Sequence, residues 1–466
     1  MVNLVYLSSE DINEVFTLFT QFHESYTSFF QNGTKSVSKP ANDYLQGQLF
    51  TKQRMNLSQF CREVPGSDYE VMQHFISGSP WDDESCITKL QRDVLKLLGD
   101  KDLGALILDE SGIPKQGKMS VGVERQYCGR LGKVENCQVG VYLAYANCKQ
   151  TSLIDYRLYL PESWVSEKER RRKCGVPDDV VFQTKAELGL SMIRAFSKTG
   201  MPFSWVCMDC HYGEQPWLLK ELNKDSICYM ADIPSDTRIF EHHPKTEIPK
   251  RQGNRGRHPK KEKLVSDEPE PIEVRAFAQN LDEACWTTFS VRETERGFMI
   301  AAFAAFRVWH SVDNLPFQEV WLVIRRPLGG SGTIRFAFST APADTPLERL
   351  AMMQCRRYWV ERALEDAKGE AGLDQYQVRG WTGWHHHMTM TLLAMLFLLQ
   401  LTLHFREKAP LLTLQDAREI LEVFLPRKSY SPSEFISLLL QKHQARFRAR
   451  RSHAKKQKQQ IQDNKT

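Results

Sequence analysis

The sequence predicts an α/β fold in which a mixed β-sheet is flanked by helices, followed by a basic helical C-terminus. Three observations lead to this prediction. Residues 1–95 repeat apolar side chains at helical spacing, residues 104–232 alternate apolar strands with amphipathic helices, and residues 271–340 are strand-like. A chain of 466 residues is long enough for two or three domains.

Residues 104–232 are predicted to form, in order, three strands, a helix, a strand, a second helix and a final strand. In order these are GALILD, MSVGVERQY, CQVGVYLAY, KAELGLSMIRAFSK, FSWVCMD, PWLLKEL and ICYMADI. Ser111 and Gly112 permit a turn directly after the first strand. Two of the strands end on an aspartate, Asp109 and Asp209, and neighbouring central strands would bring these two side chains together.

The stretch RYWVERALEDAK, residues 357–368, is predicted to form a helix because it lacks Gly and Pro and is rich in Ala, Leu, Arg and Glu. One face of this helix carries four charged residues at steps of four, four and three: Arg357, Glu361, Glu365 and Lys368. A solvated face with ion pairs is one interpretation. The strand-end aspartates favour another, in which a helix glutamate joins them in a carboxylate cluster able to hold two hard cations.

These motifs, taken together and in order, resemble the DDE transposases of the bacterial insertion-sequence type. A large group of these enzymes carries the glutamate signature Y-(2)-R-(3)-E-(6)-K. Arg357, Glu361 and Lys368 match its last three positions, while Gln354 stands in the tyrosine position. The second aspartate of this group is usually followed by Tyr-Gly, which fits residues 209–213, DCHYG.

A second registration of the signature places its glutamate on Glu365. It puts Tyr358 in the tyrosine position, but it has Glu361 where Arg is needed and Gly372 where Lys is needed. We therefore prefer Glu361 as the third acidic residue and keep Glu365 as the alternative.

The resemblance covers roughly residues 40–405 and implies an RNase H-like core. Together with the helical patterns at the two ends of the chain, it gives five predicted parts: a helical N-terminal domain at 1–95, the first part of the core at 96–235, a basic linker with a β-rich insertion at 236–342, the second part of the core at 343–410, and C-terminal helices with a basic tail at 411–466. The N-terminal helices would either help to bind DNA or cap the core.

The resemblance also implies a chemistry. Asp109, Asp209 and Glu361 would hold two Mg²⁺ or Mn²⁺ ions per active site, with Asp109 bridging both, and Arg357 and Lys368 would clamp a phosphate. Water would cut the DNA at the end of a mobile element, and the freed 3′-OH would attack target DNA. The implied partners are the terminal inverted repeats, the target DNA and a second copy of the chain.

Two other functions remain open at this stage. One is an RNase H-like nuclease that cuts without strand transfer, which the three carboxylates do not distinguish from a transposase. The other is a non-catalytic DNA-binding protein derived from a transposase. The retained carboxylates argue against it, because a protein that only binds DNA needs no metal ligands.

Other candidate DNA contacts have plainer alternatives. Arg125 and Arg130 would touch phosphate or be solvated, and the basic stretch 241–270 would contact DNA or act as a tether. Tryptophans of the insertion would stack on a flipped base or lie in the core: Trp286, Trp309 and Trp321. The tail would bind the duplex or only aid solubility, through residues that include Arg448, Arg450 and Arg451.

Charge, cysteine content and hydropathy limit where the protein can act and which of its surfaces can bind nucleic acid. Net charge is only +5, so a nucleic-acid surface must come from local clusters. Eleven scattered cysteines and an N-terminus unlike a signal peptide predict a cytoplasmic protein with reduced thiols. The apolar run 388–405 carries Thr, Gln and His, so we expect a buried core helix and no membrane. Residues 385–387, three consecutive histidines, are expected to cap a helix or meet phosphate.

The C-terminal part is predicted to hold two further helices. One begins near Thr413. The other begins at Ser431-Pro432-Ser433-Glu434, which has the form of a capping box with Pro at the first helical position.

Overall fold

A computed structural model of the chain describes residues 6–51, 54–249, 260–294, 297–328 and 332–463. The helices are α1 (Ser9–Glu24), α2 (Ser38–Phe50), α3 (Leu57–Glu63), α4 (Tyr69–Ser77), α5 (Asp83–Leu98), α6 (Glu162–Ser166), α7 (Lys168–Cys174), α8 (Lys185–Lys198), α9 (Cys210–Gly213), α10 (Pro216–Lys224), α11 (Val274–Gln279), α12 (Leu347–Cys355), α13 (Tyr358–Ala371), α14 (Trp381–His404), α15 (Leu414–Phe424) and α16 (Pro432–Asp463). The strands are β1 (Gln31–Asn32), β2 (Lys35–Ser36), β3 (Ala105–Pro114), β4 (Glu124–Cys128), β5 (Lys133–Ala146), β6 (Thr151–Tyr159), β7 (Trp205–Met208), β8 (Tyr229–Ile233), β9 (Arg238–Phe240), β10 (Thr246–Glu247), β11 (Lys263–Leu264), β12 (Ile272–Glu273), β13 (Thr287–Thr294), β14 (Gly297–Val312), β15 (Leu315–Pro327) and β16 (Arg335–Ser339).

Most of these strands form one mixed sheet. Its order is β12-β9-β14-β15-β16-β8-β7-β3-β5-β4, with β13 paired to β14 and β6 paired to β5. The central strands β3, β7 and β8 are parallel, and β5 and β6 continue the sheet antiparallel on one side. On the other side β16 pairs antiparallel with β8, so the strands of the insertion extend the same sheet. The predicted mixed sheet flanked by helices is confirmed.

Several predicted elements differ in detail. No turn follows Asp109, because β3 continues to Pro114 through an unbroken ladder with β5. Strand β4 begins only at Glu124, in the second half of MSVGVERQY, and β6 was not predicted. The stretch IEVRAFA, the first of the strands expected within residues 271–340, pairs with β9 only at its first two residues and then continues as α11.

Helix α14 is the core of the helical layer. It is the described helix that is long and apolar enough to cross a membrane, yet 89% of its apolar window is buried inside the molecule. Helices α2, α4 and α5 pack around it: the Tyr44 hydroxyl lies 2.7 Å from His387 Nδ1, and the Trp81 ring stacks on His386 at 4.1 Å. The predicted buried core helix is confirmed.

The predicted roles of residues 385–387 at a helix cap or on phosphate are wrong. All three histidines lie inside α14, and His386 and His387 are buried. Burial lowers the pKa of His386 to about 4 and that of His387 to about 3, so neither ring is a cation at neutral pH. These rings pack the N-terminal helices onto α14.

The other predicted helix boundaries hold. Helix α13 covers the predicted glutamate helix and ends at Gly372, whose φ of 66° is the left-handed value that favours glycine. Thr413 and Asp416 form a capping box at α15. At α16 the Ser431 backbone N–H and hydroxyl both donate to the Glu434 carboxylate, at 2.8 and 2.7 Å.

Candidate active site

Three neighbouring parallel strands build the floor of the candidate site. Leu108 of β3 pairs with Met208 of β7, which in turn pairs with Ala231 of β8. The next residue along each strand is an aspartate: Asp109, Asp209 and Asp232. Because laterally paired residues share a face of the sheet, the three aspartates follow one another across adjacent strands, and all three line one cleft.

A cleft of about 760 Å³ opens over these aspartates. Helix α13 forms one wall and places its charged face in the cleft: Arg357, Glu361, Glu365 and Lys368. Arg130, just after β4, and Arg335, at the start of β16, complete the charged lining. The sheet and the helix therefore bring together every acidic residue that the sequence singled out.

Arg357 lies between the aspartates and the helix glutamate. Its Nε is 3.2 Å from Asp232 Oδ2, and its Nη1 is 3.8 Å from Asp109 Oδ2. Its Nη2 donates to Glu361 Oε1 at 2.6 Å, one helical turn away. Although burial opposes it, the carboxylates around Arg357, Glu361 first among them, raise the pKa of the guanidinium. One arginine thus neutralises acids from three elements.

Burial and neighbouring acids raise the pKa values of the three aspartates on the floor of the cleft. Burial and the neighbouring Asp209 carboxylate raise the pKa of Asp109 to about 7. Burial and Glu110 raise the pKa of Asp209, and burial raises the pKa of Asp232 although Arg357 lowers it. Adjacent acids with raised pKa values indicate negative charge that Arg357 alone does not balance, which a bound cation would stabilise.

The residues present fit divalent metal ions by their chemistry. Carboxylate oxygens are the ligands that Mg²⁺ and Mn²⁺ prefer, and four acids of the cleft come from separate elements. Within the described ranges, however, no three His, Cys, Asp or Glu side chains are grouped closely enough to hold an ion. Glu361 is paired with Arg357 at 2.6 Å.

The residues after Asp209 fix its position. The Asp209 carboxylate accepts from the backbone N–H groups of His211 and Tyr212, at 3.0 and 3.4 Å, and so begins α9. The Tyr212 hydroxyl donates to Glu110 at 2.9 Å, beside Asp109. A Cβ on Gly213 would stand 1.9 Å from the Asp232 carbonyl oxygen, so only glycine lets α9 approach β8. Tyr212 and Gly213 therefore hold α9 against the strands that carry the three aspartates.

Two basic residues predicted from the sequence also line the cleft. Arg130 forms an ion pair with Asp374. Lys368 is half-buried, and its pKa is lowered by burial and by the nearby Arg130. Arg125 instead lies exposed over a separate depression, which it shares with Arg170.

The remaining predicted DNA contacts lie outside the cleft. Trp286 packs under Arg326 at 4.3 Å, Trp309 lies edge-on to His243 at 4.3 Å, and Trp321 donates to the Pro342 carbonyl at 3.1 Å. All three tryptophans are half-buried. The tail arginines are exposed on α16: Arg448, Arg450 and Arg451. Their contacts with DNA stay predictions.

Asp232 is the residue that sequence reasoning missed. Its signal was present, because ICYMADI was predicted as a strand and carries an aspartate one residue before its end. Only the register with β7 shows that this aspartate stands level with Asp209. Arg335 was missed as well, since a charged residue at the start of an insertion strand is not distinctive by itself.

A family model for the DDE superfamily endonuclease matches residues 18–297, more than half of the chain. The chain belongs to the DDE superfamily endonuclease family. The match includes Asp109 and Asp209 but ends before Glu361, so the choice of Glu361 over Glu365 stays a prediction.

A curated relative points the same way for this DDE endonuclease. A probable transposase for insertion sequence element IS701 from Microchaete diplosiphon is 24% identical over 364 residues, covering 77% of this chain and 82% of the relative. Together with the family match, it confirms the sequence-based recognition of a DDE transposase and of a DNA-cleaving enzyme.

Proposed function

We propose that this DDE endonuclease cuts DNA at the ends of a mobile element and joins the 3′-OH ends to target DNA. The observation that carries the proposal is the cleft in which Asp109, Asp209 and Glu361 converge with Arg357 and Lys368. Cutting and joining are both attacks of an oxygen on a phosphodiester, so one acidic cleft can serve for both. The transposase relative supports the joining step.

The strand order supports an RNase H-like core. Strands β6, β5 and β3 are antiparallel neighbours, and β7 and β8 follow β3 in parallel, so the acids stand at the ends or the middle of adjacent central strands. In this proposal the N-terminal helices complete the core, and the insertion enlarges the sheet on the β8 side.

The chain's own residues would prepare the reaction. Asp109, Asp209 and Glu361 are the proposed ligands for two Mg²⁺ or Mn²⁺ ions, whose presence would activate the attacking oxygen and stabilise the leaving oxygen. If Glu361 held a metal ion, its hydrogen bond with the Arg357 Nη2 group would have to open. Arg357 and Lys368 would then bind the phosphate next to the cut, where the planar guanidinium fork suits phosphate oxygens.

The test is substitution of each proposed ligand. Asp109→Ala, Asp209→Ala and Glu361→Ala should each reduce cleavage of a duplex from the element's end by several orders of magnitude. Binding of the uncut duplex should survive, because the proposed phosphate contacts are basic residues such as Arg357 and Lys368, which these variants keep. Near-normal cleavage by any one of the three variants would remove that residue from the proposal.

A nuclease without strand transfer is separated by its products. A transposase incubated with a pre-cut element end and a circular target should give joined DNA, whereas a nuclease gives only fragments. The proposed working form is a homodimer on DNA in the bacterial cytoplasm, with the two element ends and the target as partners.

A further inference from the structure

Two arginines face each other across the last two strands of the insertion. Arg325 of β15 is the register partner of Arg335 of β16. Residues directly opposite in an antiparallel pair project from the same face, and like charges in that position destabilise the sheet. Arg335 is exposed and lines the cleft, while Arg325 is half-buried.

The register also ties this pair to the acidic floor. Ala337 of β16 pairs with Asp232 of β8, and Arg335 is two residues from Ala337. Side chains two positions apart share a face of a strand, so both arginines project on the face that carries Asp232. Both guanidinium groups lower the pKa of Asp232 against the larger, opposite effect of burial.

Neighbouring arginines of the same ribbon are neutralised. Arg307 pairs with Glu319 at 2.7 Å, and Arg326 pairs with Glu283 at 2.8 Å. Within the residues that the structure describes, neither Arg325 nor Arg335 forms such an ion pair. The Nη1 group of Arg325 instead lies 3.2 Å from the Cys355 thiol. A thiol is a weak acceptor for a guanidinium. Of the two arginines, Arg335 lines the cleft, and Arg325 stands opposite it on the neighbouring strand β15.

We propose that Arg325 and Arg335 form a phosphate-binding pair for the DNA strand that enters the cleft. The inference rests on the proposed function, because it takes the cleft as the place where DNA is cut. A phosphodiester between two guanidinium forks would turn a destabilising contact into charge-assisted hydrogen bonds. In the sheet order the pair lies beyond β8, and Arg130 lies beyond β3, so phosphate would be held on both sides of the aspartates.

The first test measures binding without chemistry. A duplex from the element's end is titrated in EDTA with Arg325→Ala, Arg335→Ala and the matched control Arg326→Ala, which removes the same charge from the opposite face. Each test variant should bind about tenfold more weakly. Each should also lower the salt slope by roughly 0.9 for the phosphate contact that is lost. An equal loss in Arg326→Ala would overturn the proposal, because a general charge effect would explain it.

The second test locates the phosphate. Neutral methylphosphonates are placed one at a time along the cut strand and combined with Arg335→Ala. The two changes should be non-additive only at phosphates next to the cut, which marks direct contact. Additive losses at every position would reject the pair as a phosphate site. The same pattern of non-additive binding losses is expected in an Asp209→Asn background. Binding is measured there without cleavage, so the phosphate-binding proposal can fail or stand independently of the cleavage proposal.

A neutral substitution separates binding from structure. Arg335→Gln removes the repulsion across the ribbon without placing another acid beside Asp232, so the melting temperature of the free protein should change little. The same variant should bind DNA as weakly as Arg335→Ala. Unchanged DNA binding in a normally folded Arg335→Gln protein would show that the arginine has no role in holding phosphate.

Discussion

Arg357 is the residue on which the charge balance of the cleft depends. It contacts Asp109, Asp232 and Glu361 and is the counter-ion closest to all three. Unpaired acids held this close would oppose folding, so the guanidinium stabilises the cleft in the absence of a metal ion. The ion-paired face and the face proposed to be catalytic, which the sequence offered as alternatives, are therefore the same face of α13.

The choice between the two helix glutamates can be tested residue by residue. Glu361 is paired with Arg357 at 2.6 Å, and both glutamates line the cleft one turn apart. Glu361→Gln should abolish cleavage, with partial recovery at most in Mn²⁺, which binds such sites more tightly than Mg²⁺. Glu365→Gln should stay within a few-fold of the parent, because it loses only exposed charge, worth a few tenths of a kcal/mol.

Cleavage assays of both glutamine variants decide the matter. An inactive Glu365→Gln protein beside an active Glu361→Gln protein would move the third ligand by one turn. It would also remove the proposed roles of Arg357 and Lys368, which depend on the registration around Glu361.

Asp109 should make the metal-free protein less stable as the pH rises. Its pKa is 3.8 in the unfolded chain and about 7 in the fold, so the folded state holds the extra proton between these values. Stability is then highest below pH 4 as far as this group is concerned, and falls as the pH rises from 4 to 7. Asp109→Asn should remove this dependence and stabilise the protein at pH 8 by on the order of a few kcal/mol.

Thermal unfolding in EDTA from pH 4 to pH 8 measures this effect. Other groups also titrate, so the quantity of interest is the difference between parent and Asp109→Asn. A difference that does not grow with pH would show that Asp109 is already ionised in the fold.

At the scale of elements, the short helix α9 connects the strands that carry the aspartates. Asp209 begins this helix, Tyr212 reaches across to Glu110 beside Asp109, and Gly213 lies against the Asp232 carbonyl. Each of these residues has a different physical task. The motif DCHYG is thus a packing device that keeps three acids level, in addition to carrying one of them.

Gly213→Ala should therefore damage both the fold and the site. The added Cβ would stand 1.9 Å from a backbone oxygen, so α9 and β8 must separate. We expect a loss of about 1–3 kcal/mol in the free energy of unfolding, together with reduced cleavage. Gly369→Ala in α13 is the control, since its Cβ would meet nothing within 4 Å and alanine favours a helix.

Denaturant unfolding and cleavage are measured on both alanine variants. Equal stability of the Gly213→Ala and Gly369→Ala proteins would mean that α9 can move away from β8 at no cost. The Tyr-Gly pair would then need another explanation.

At the scale of the whole molecule, the N-terminal helices and the sheet share one core. Gln48 of α2 donates to the Ala371 carbonyl at the end of α13 and to Thr391 of α14, at 3.0 and 2.9 Å. Phe19 of α1 packs edge-on against Phe397 of α14, with ring centroids 5.4 Å apart. The helix that carries Glu361 is thus held in place from the N-terminal part of the chain.

Helix α16 lies at the opposite extreme, because nearly all of its described side chains are exposed. Its C-terminal half is strongly basic in a protein whose net charge is only +5. Deleting residues from Gln444 onward should weaken DNA binding for all sequences alike and flatten its salt dependence, because phosphate contacts release counterions whatever the bases. The melting temperature should hardly change.

Binding titrations at several salt concentrations check the role of the tail. The control replaces the three arginines Arg448, Arg450 and Arg451 by glutamine in the full-length chain, which keeps the helix but removes charge. A salt slope that is the same in parent, truncation and control would leave the tail without a DNA contact.

The sequence by itself predicted most of the elements and the candidate acidic residues. Residue composition and the absence of Gly and Pro located the glutamate helix α13, and a capping box located the start of α16, because these signals are local. Their position at strand ends singled out Asp109 and Asp209, and the resemblance to the transposase signature favoured Glu361 over Glu365; all three line one cleft. Where local preference is weak the prediction was wrong, as at IEVRAFA, which becomes a helix once its first two residues have paired with β9.

Only the tertiary structure decided what depends on pairing between distant strands. The continuation of β3 past Asp109 is set by its ladder with β5, against a local turn signal at Ser111 and Gly112. The level position of Asp232 and the opposition of Arg325 and Arg335 are properties of register. Register is fixed by the packing of whole strands, and a single chain read in order does not carry that information.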